Sequence, residues 1–144
     1  MAAPAYTWEY VTNIFGLEPP KTAVFEASSN LETKIGTALI LTGGQLDEAT
    51  ASVVLFAGLA ANATSVAATA GDLTKIYVIR PGDVIKGTAD ADATTLAGLS
   101  GKTGDFNTDG SLNVADTTNG CLSVLRVENS GLTVYCLVTK SAFQ

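Results

Sequence analysis

Cys121-Leu122-Ser123-Val124-Leu125-Arg126-Val127, then Glu128-Asn129-Ser130-Gly131, then Leu132-Thr133-Val134-Tyr135-Cys136-Leu137-Val138-Thr139, is the stretch that decides the fold. Two runs rich in β-branched and apolar residues flank a cluster of turn-forming residues, which is how a β-hairpin is written. With Asn129-Ser130 at the turn, Cys121 faces Val138 and Cys136 faces Ser123. One face then carries Cys121, Ser123, Leu125 and Val127 with Leu132, Val134, Cys136 and Val138. The other carries Leu122, Val124 and Arg126 with Thr133, Tyr135, Leu137 and Thr139. The first face is nearly all apolar and is expected to point inward. In this register the two cysteines sit diagonally, roughly 7 Å or more apart, which disfavours a disulfide and makes them reduced core residues.

Upstream, short strands alternate with turn residues. Thr22 to Glu26 reads as a strand, Ser28-Ser29-Asn30 as a turn, and Thr37 to Thr42 as a strand ended by Gly43-Gly44. Asp47 to Ala61 admits a helix starting near Asp47. Ser52-Val53-Val54-Leu55-Phe56-Ala57-Gly58 inside it favours a strand, being β-branched and aromatic with no polar face at helical spacing. Leu73 to Ile79 and Val84 to Thr88 form a second hairpin-like pair around Arg80-Pro81-Gly82-Asp83, where Pro and Gly suit a type II turn. Thr94 to Leu99 is a further short strand. With no long helix in view, the chain is expected to be mainly β, an antiparallel β-sandwich or small β-barrel.

Met1 to Pro20 is expected to be an extended N-terminal arm, and residues 21–144 a single β-rich domain. Pro4, Pro19 and Pro20 deny ladder donors, while Tyr6, Trp8, Tyr10 and Phe15 hold four of the ten aromatics. Such an arm either packs on its own domain or lies across a neighbour, and those four aromatics are the candidate partner contacts.

The 144 residues suit one domain and carry a net charge of -6. Six aspartates fall between Asp83 and Asp116, so a nucleic acid is not an expected partner. The most apolar run, Ala51 to Ala63, is broken by Ser52, Gly58 and Asn62 and is too short to span a membrane, which needs about 20 residues. The first positive charge is Lys21, so no secretory signal is read, and synthesis in the cytoplasm is the default.

Two motifs invite chemistry. Asp105, Asn107, Asp109, Ser111, Asn113 and Asp116, with Gly110 at the bend, match the ligand spacing of an EF-hand calcium loop. The loop resembles that of dockerin modules over Gly104 to Asp116. Dockerins carry two such loops, each followed by a helix, whereas here there is one copy leading straight into a strand. Calcium binding, as in a calcium-dependent adhesion or carbohydrate-binding module, therefore stands beside an ordinary exposed loop. Asp90 and Asp92 would share one face of a strand and could do acid and base work. They sit in an alanine-rich connector, and the chain lacks histidine, so catalysis is not expected.

Three segments together resemble head decoration, or cement, proteins of tailed bacteriophages. They are Ala57-Gly58-Leu59-Ala60-Ala61-Asn62-Ala63-Thr64, Ile76 to Gly87 with its Arg80-Pro81-Gly82-Asp83-Val84 turn, and the hairpin end Leu137 to Phe143. The resemblance implies a β-rich, often trimeric structural protein of the virion. It would bind the outside of the major capsid protein lattice and stabilise the shell.

Overall fold

A computed structural model describes residues 3–49, 56–64, 69–98 and 101–143 of the chain. The chain is mainly β, and its sheets are antiparallel with none closed into a barrel, consistent with a β-sandwich. Four strands, β1 (Glu9–Asn13), β7 (Asp83–Thr88), β11 (Thr133–Val138) and β10 (Leu122–Glu128), lie in the order β1-β7-β11-β10. Five more form a second sheet in the order β2-β6-β5-β3-β4: β2 (Thr22–Glu26), β6 (Leu73–Val78), β5 (Phe56–Ala60), β3 (Ala38–Thr42) and β4 (Gln45–Glu48). A two-residue ladder joins β8 (Asp105–Phe106) to β9 (Leu112–Asn113).

The five-stranded sheet curls on itself. Ala27, one residue past β2, makes a parallel bridge to Leu46 in β4, and Ser28 N–H donates to the Leu46 carbonyl at 2.8 Å. The two edges therefore touch at one end of the sheet. One core cluster, with Leu39, Leu46, Ala57, Ala60 and Ile76, belongs to one face of this sheet. A larger cluster joins its other face to the four-stranded sheet through Phe56, Leu59, Ile85, Val134, Cys136 and Val138. Strand β5 contributes to both clusters and is buried at every residue, which is why it reads as an unbroken apolar run. Phe106 ties the larger cluster together, with its ring centroid 5.4 Å from Trp8 and 5.2 Å from Phe56.

Several expectations need correction. The hairpin is present, but its register is shifted and interrupted. Leu122 pairs with Val138 and Val124 with Cys136, then a bulge at Leu125 brings Arg126 opposite Tyr135. The extra residue changes the alternation of β10, so Leu122, Val124 and Val127 face the core, while β11 points Val134, Cys136 and Val138 inward as expected. The turn takes up Asn129, Ser130 and Gly131, all at positive φ, and Leu132 is exposed rather than inward.

The Leu73–Val78 and Asp83–Thr88 strands are both formed but are not a hairpin. β6 pairs with β2 and β5, whereas β7 pairs with β1 and β11, so the Pro81-Gly82 turn carries the chain from one sheet to the other. Gly82 has φ 96° and Asp83 N–H donates to the Arg80 carbonyl at 3.0 Å, as the type II turn requires. The Thr94 to Leu99 region is not a strand among its described residues: Thr94–Leu96 forms a 3-10 turn. Gln45–Glu48, where a helix could have begun, is strand β4 after the Gly43-Gly44 turn. Of the Ser52 to Gly58 strand, residues 52–55 lie outside the described residues, and Phe56 to Gly58 belong to β5.

The N-terminal arm is also corrected. Glu9–Asn13 is an edge strand of the four-stranded sheet, paired with β7 from Glu9 opposite Lys86 to Asn13 opposite Asp83. Proline occurs only outside this strand, so its ladder donors are intact. Both cysteines are free and buried. Burial, helped by the nearby Asp105 charge, pushes the Cys121 thiol up to about 12, and burial raises that of Cys136 as well.

Candidate functional site: an apolar ledge on a buried polar corner

The turn between the two sheets holds a buried charge. Asp83 is fully buried, yet its carboxylate accepts four hydrogen bonds. Oδ1 takes Arg80 Nη2 at 2.9 Å and Asn13 Nδ2 at 2.8 Å, and Oδ2 takes the Arg80 backbone N–H at 2.8 Å and Nε at 3.2 Å. A buried carboxylate is tolerable when paired and saturated in this way. The hydrogen bond to Asp83 in turn raises the Arg80 guanidinium further above its ordinary value.

This corner reaches out to fix the loop that follows β1. The Asn13 side-chain oxygen accepts the backbone N–H of Phe15 at 2.7 Å and of Leu17 at 3.3 Å, an Asx-type turn. Ile14 N–H donates to the Gly82 carbonyl at 3.0 Å, and Arg80 Nη2 donates to the Glu18 carbonyl at 2.6 Å. The backbone of residues 13–18 is thus held at several points.

The side chains it presents are apolar and uncovered. Ile14 is 50% exposed, Phe15 70% and Leu17 51%, with Val11 43% exposed on β1. Phe15 lies over the backbone of Gly82, where an added Cβ would come within 2.6 Å of the ring. The result is a rigid ledge of large apolar groups above a charged corner. Exposed contiguous apolar surface of this kind marks interaction sites, and a backbone already ordered loses little entropy on binding.

The four aromatics proposed as contacts separate. Phe15 belongs to the ledge. Tyr6 is exposed and its backbone N–H donates to the Asp109 carbonyl at 2.9 Å. Tyr10 is half-buried and, with Trp8, Pro19 and Tyr77, lines an apolar slot of about 200 Å³ between β1 and the five-stranded sheet.

Trp8 is not a surface residue but part of the core. Its indole N–H donates to the Gly110 carbonyl at 2.7 Å and its backbone N–H to the Gly36 carbonyl at 2.8 Å. Its ring covers Gly87, where a Cβ would lie 2.4 Å from it. The physical reason is that glycines on three separate segments leave room for one large ring and its backbone. Spacing along the chain cannot reveal that coincidence.

In the acidic loop, Asn107, Asp109 and Ser111 are drawn together. Asp109 Oδ1 accepts both the N–H and the hydroxyl of Ser111, and Asn107 Nδ2 donates to Ser111 Oγ and to Asp90 Oδ2. Asn113 and Asp116 instead accept backbone N–H groups of their own turns, from Ala115, Asp116 and Thr118. Asp105 is buried in β8, its carboxylate beside Gly120 and Cys121. Among the described residues, no group of three or more His, Cys, Asp or Glu is placed to hold a metal ion.

Asp90 and Asp92 serve different turns. Asp90 accepts Val114 N–H and Asn107 Nδ2, and Asp92 accepts the Thr94 hydroxyl and N–H, which lower its carboxyl below the ordinary range.

Sequence reasoning missed Asn13 and the buried role of Asp83. The Arg80-Pro81-Gly82-Asp83 string signals only a turn, and the Asn13 contact spans 70 positions. No family model matches the chain, and neither a curated protein nor a solved structure is detectably similar to it.

Proposed function

We propose that this chain is a structural protein of a tailed-bacteriophage head. In this reading it binds the outside of the assembled capsid lattice and stabilises the shell, with the Val11 to Leu17 ledge as its contact surface. The observation that carries the reading is the exposure of Ile14, Phe15 and Leu17 on a backbone held by Asn13, Asp83 and Arg80. The decoration-protein resemblance of residues 57–64, 76–87 and 137–143 supplies the class of partner.

The mechanism is mass action. A molecule that binds the closed lattice but not its free subunits stabilises the closed state by RT ln(1 + [L]/Kd) per site. A few rigid apolar anchors are the economical way to make each contact, since most binding energy in an interface resides in a handful of residues. Phe15, the most exposed of the ledge residues, is the anchor in this account.

The test is cosedimentation with empty capsids of the phage that encodes the chain. Wild-type protein is expected to pellet with the shells and to raise their melting temperature, and Phe15→Ser with Leu17→Ser to abolish both effects. Binding that survives the double substitution would remove the ledge from the account, and failure of the wild type to bind would end the reading.

A further inference from the structure

The apolar slot of about 200 Å³ between β1 and the five-stranded sheet shares no residue with the ledge. Its floor is made by Trp8, Leu59 and Ala60, all buried, and its rim by Pro19, Ile35 and Tyr77, all exposed. Ile35 is 67% exposed and Tyr77 42%, and half-buried Tyr10 and Pro20 complete the walls. Large apolar side chains left in water around an apolar recess mark a place where something docks.

The backbone around the slot has little left to offer a guest. Trp8 N–H is taken by the Gly36 carbonyl, Gly36 N–H by the Ala60 carbonyl and Ala60 N–H by the Thr37 carbonyl. The indole N–H is spent on the Gly110 carbonyl, and Pro19 and Pro20 have no N–H at all. A β-strand, which binds by backbone hydrogen bonds, would leave its own groups unpaired there. An α-helix, about 10–12 Å across with its side chains, is too wide to enter and could reach in only with single side chains.

A polyproline II segment meets both limits. Its backbone makes no internal hydrogen bonds and stays solvated, and its proline rings pack on aromatic walls at small entropic cost. Tyr10 and Tyr77 supply such rings, and each adds a phenolic hydroxyl able to donate to a guest carbonyl.

The slot also opens onto a longer track. Tyr77 shares one face of its sheet with Lys75 and Leu73 further along β6, and with Thr22, Val24 and Glu26 opposite them on β2. Leu73 is 73% exposed and Val24 53%. Tyr77 to Leu73 is about 13 Å, four residues at roughly 3.3 Å each, a length that about four residues of polyproline II cover at about 3.1 Å each.

Charge selects among such segments. Glu9, which Lys86 approaches only to 3.9 Å, lines the slot, and Glu26 stands beside Leu73 at the far end of the track, with Lys75 between them. The body as a whole carries a net charge of -6, so it repels acidic segments and favours guests with basic ends. We propose that the slot and track bind a proline-rich, basic segment of a partner protein, with a proline ring seated in the slot against Tyr10 and Tyr77. The segment continues along Val24 and Leu73. The site does not depend on what the ledge binds.

The test uses the full-length chain and a capped synthetic peptide in which paired prolines alternate with arginines. Control peptides replace every proline by alanine or by leucine. Trp8 lies in the slot floor and is the sole tryptophan, so its emission, together with the amide NMR shifts of Tyr10 and Tyr77, reports binding. The proline peptide is expected to shift these signals saturably, and both controls to bind at least about tenfold more weakly. Tyr77→Ser should weaken binding by at least about tenfold, whereas Phe15→Ser, on the ledge, should leave it unchanged, which separates this site from the capsid contact. Ile35→Ser, at a second exposed rim residue, repeats the test if Tyr77→Ser fails to fold. No saturable shift up to millimolar peptide, equal binding of either control, or an equal loss in Phe15→Ser overturns the inference.

Discussion

Trp8 and Phe15 lie in one proline-bounded segment, yet one ring is 3% exposed and the other 70%. Both lie against a glycine: a Cβ would meet Trp8 at Gly87 and Phe15 at Gly82. The difference is what stands on the far side. Phe106 packs edge-on against Trp8, and the Gly110 carbonyl takes its indole N–H, whereas among the described residues no such layer covers Phe15. Burial of an aromatic in this protein therefore follows from the number of segments that converge on it. Two aromatic residues of one segment can thus be a core plug and an exposed ledge.

The largest expected effect tests the plug. Trp8→Ala removes the ring that spans Gly87 and Phe106 and leaves a cavity in the main cluster. The loss should be about 3–5 kcal/mol, read as the drop in unfolding free energy by urea titration. Gly87→Val should act in the same direction by forcing the ring out. A loss under about 1 kcal/mol for Trp8→Ala would mean that the ring is a loosely held arm after all.

A smaller effect tests how the ledge is held. Asn13→Ala strips the Asp83 carboxylate of one donor and frees the N–H groups of Phe15 and Leu17. Leaving a buried carboxylate short of a donor costs about 1–3 kcal/mol. Hydrogen exchange should accelerate at residues 14–17 and not at Trp8, whose partners are elsewhere. Equal acceleration at both sites would show the segment to be one cooperative unit and erase the comparison.

The sheet layout was only partly legible in the sequence, and particular residues show why. The period-2 face of β11 reads correctly because nothing interrupts it, so Val134, Cys136 and Val138 point inward. The same pattern misassigns β10 because one extra residue at Leu125 reverses the alternation, and no local preference marks that position. Pro81-Gly82 announces a turn but not that the strands on either side belong to different sheets. The ledge was half legible. Clustered aromatics pointed to residues 6–15, but the support beneath comes from Asp83 and Arg80, and side-chain contacts across such separations leave no periodic trace.

Smaller again is the expected cost of Phe15 itself. Phe15→Ser trades an exposed ring for a hydroxyl on a backbone whose hydrogen bonds are unchanged, so stability should move by no more than about 0.5 kcal/mol. The measurement is a thermal melt beside the Trp8→Ala variant. A large destabilisation would place Phe15 among the fold-forming residues and leave the ledge without its anchor.

The smallest expected effect concerns the acidic loop, and Trp8 makes it measurable. The indole and the Tyr6 backbone hang on the carbonyls of Gly110 and Asp109, at the tip of the loop whose spacing fits calcium. Trp8 is the sole tryptophan, so its emission reports on that tip. For calcium to enter, Asn113 and Asp116 would have to leave their own turns, and buried Asp105 its place in β8, to converge with Asn107, Asp109 and Ser111. Each released donor carries a cost of the order of 1 kcal/mol, set against an ion that needs six or more oxygens converging at once. Millimolar calcium is therefore expected to leave both Trp8 emission and the melting temperature unchanged. A saturable shift in emission together with a raised melting temperature would show that the loop rearranges around an ion. The Trp8 plug would then be a calcium-tuned contact rather than a fixed one.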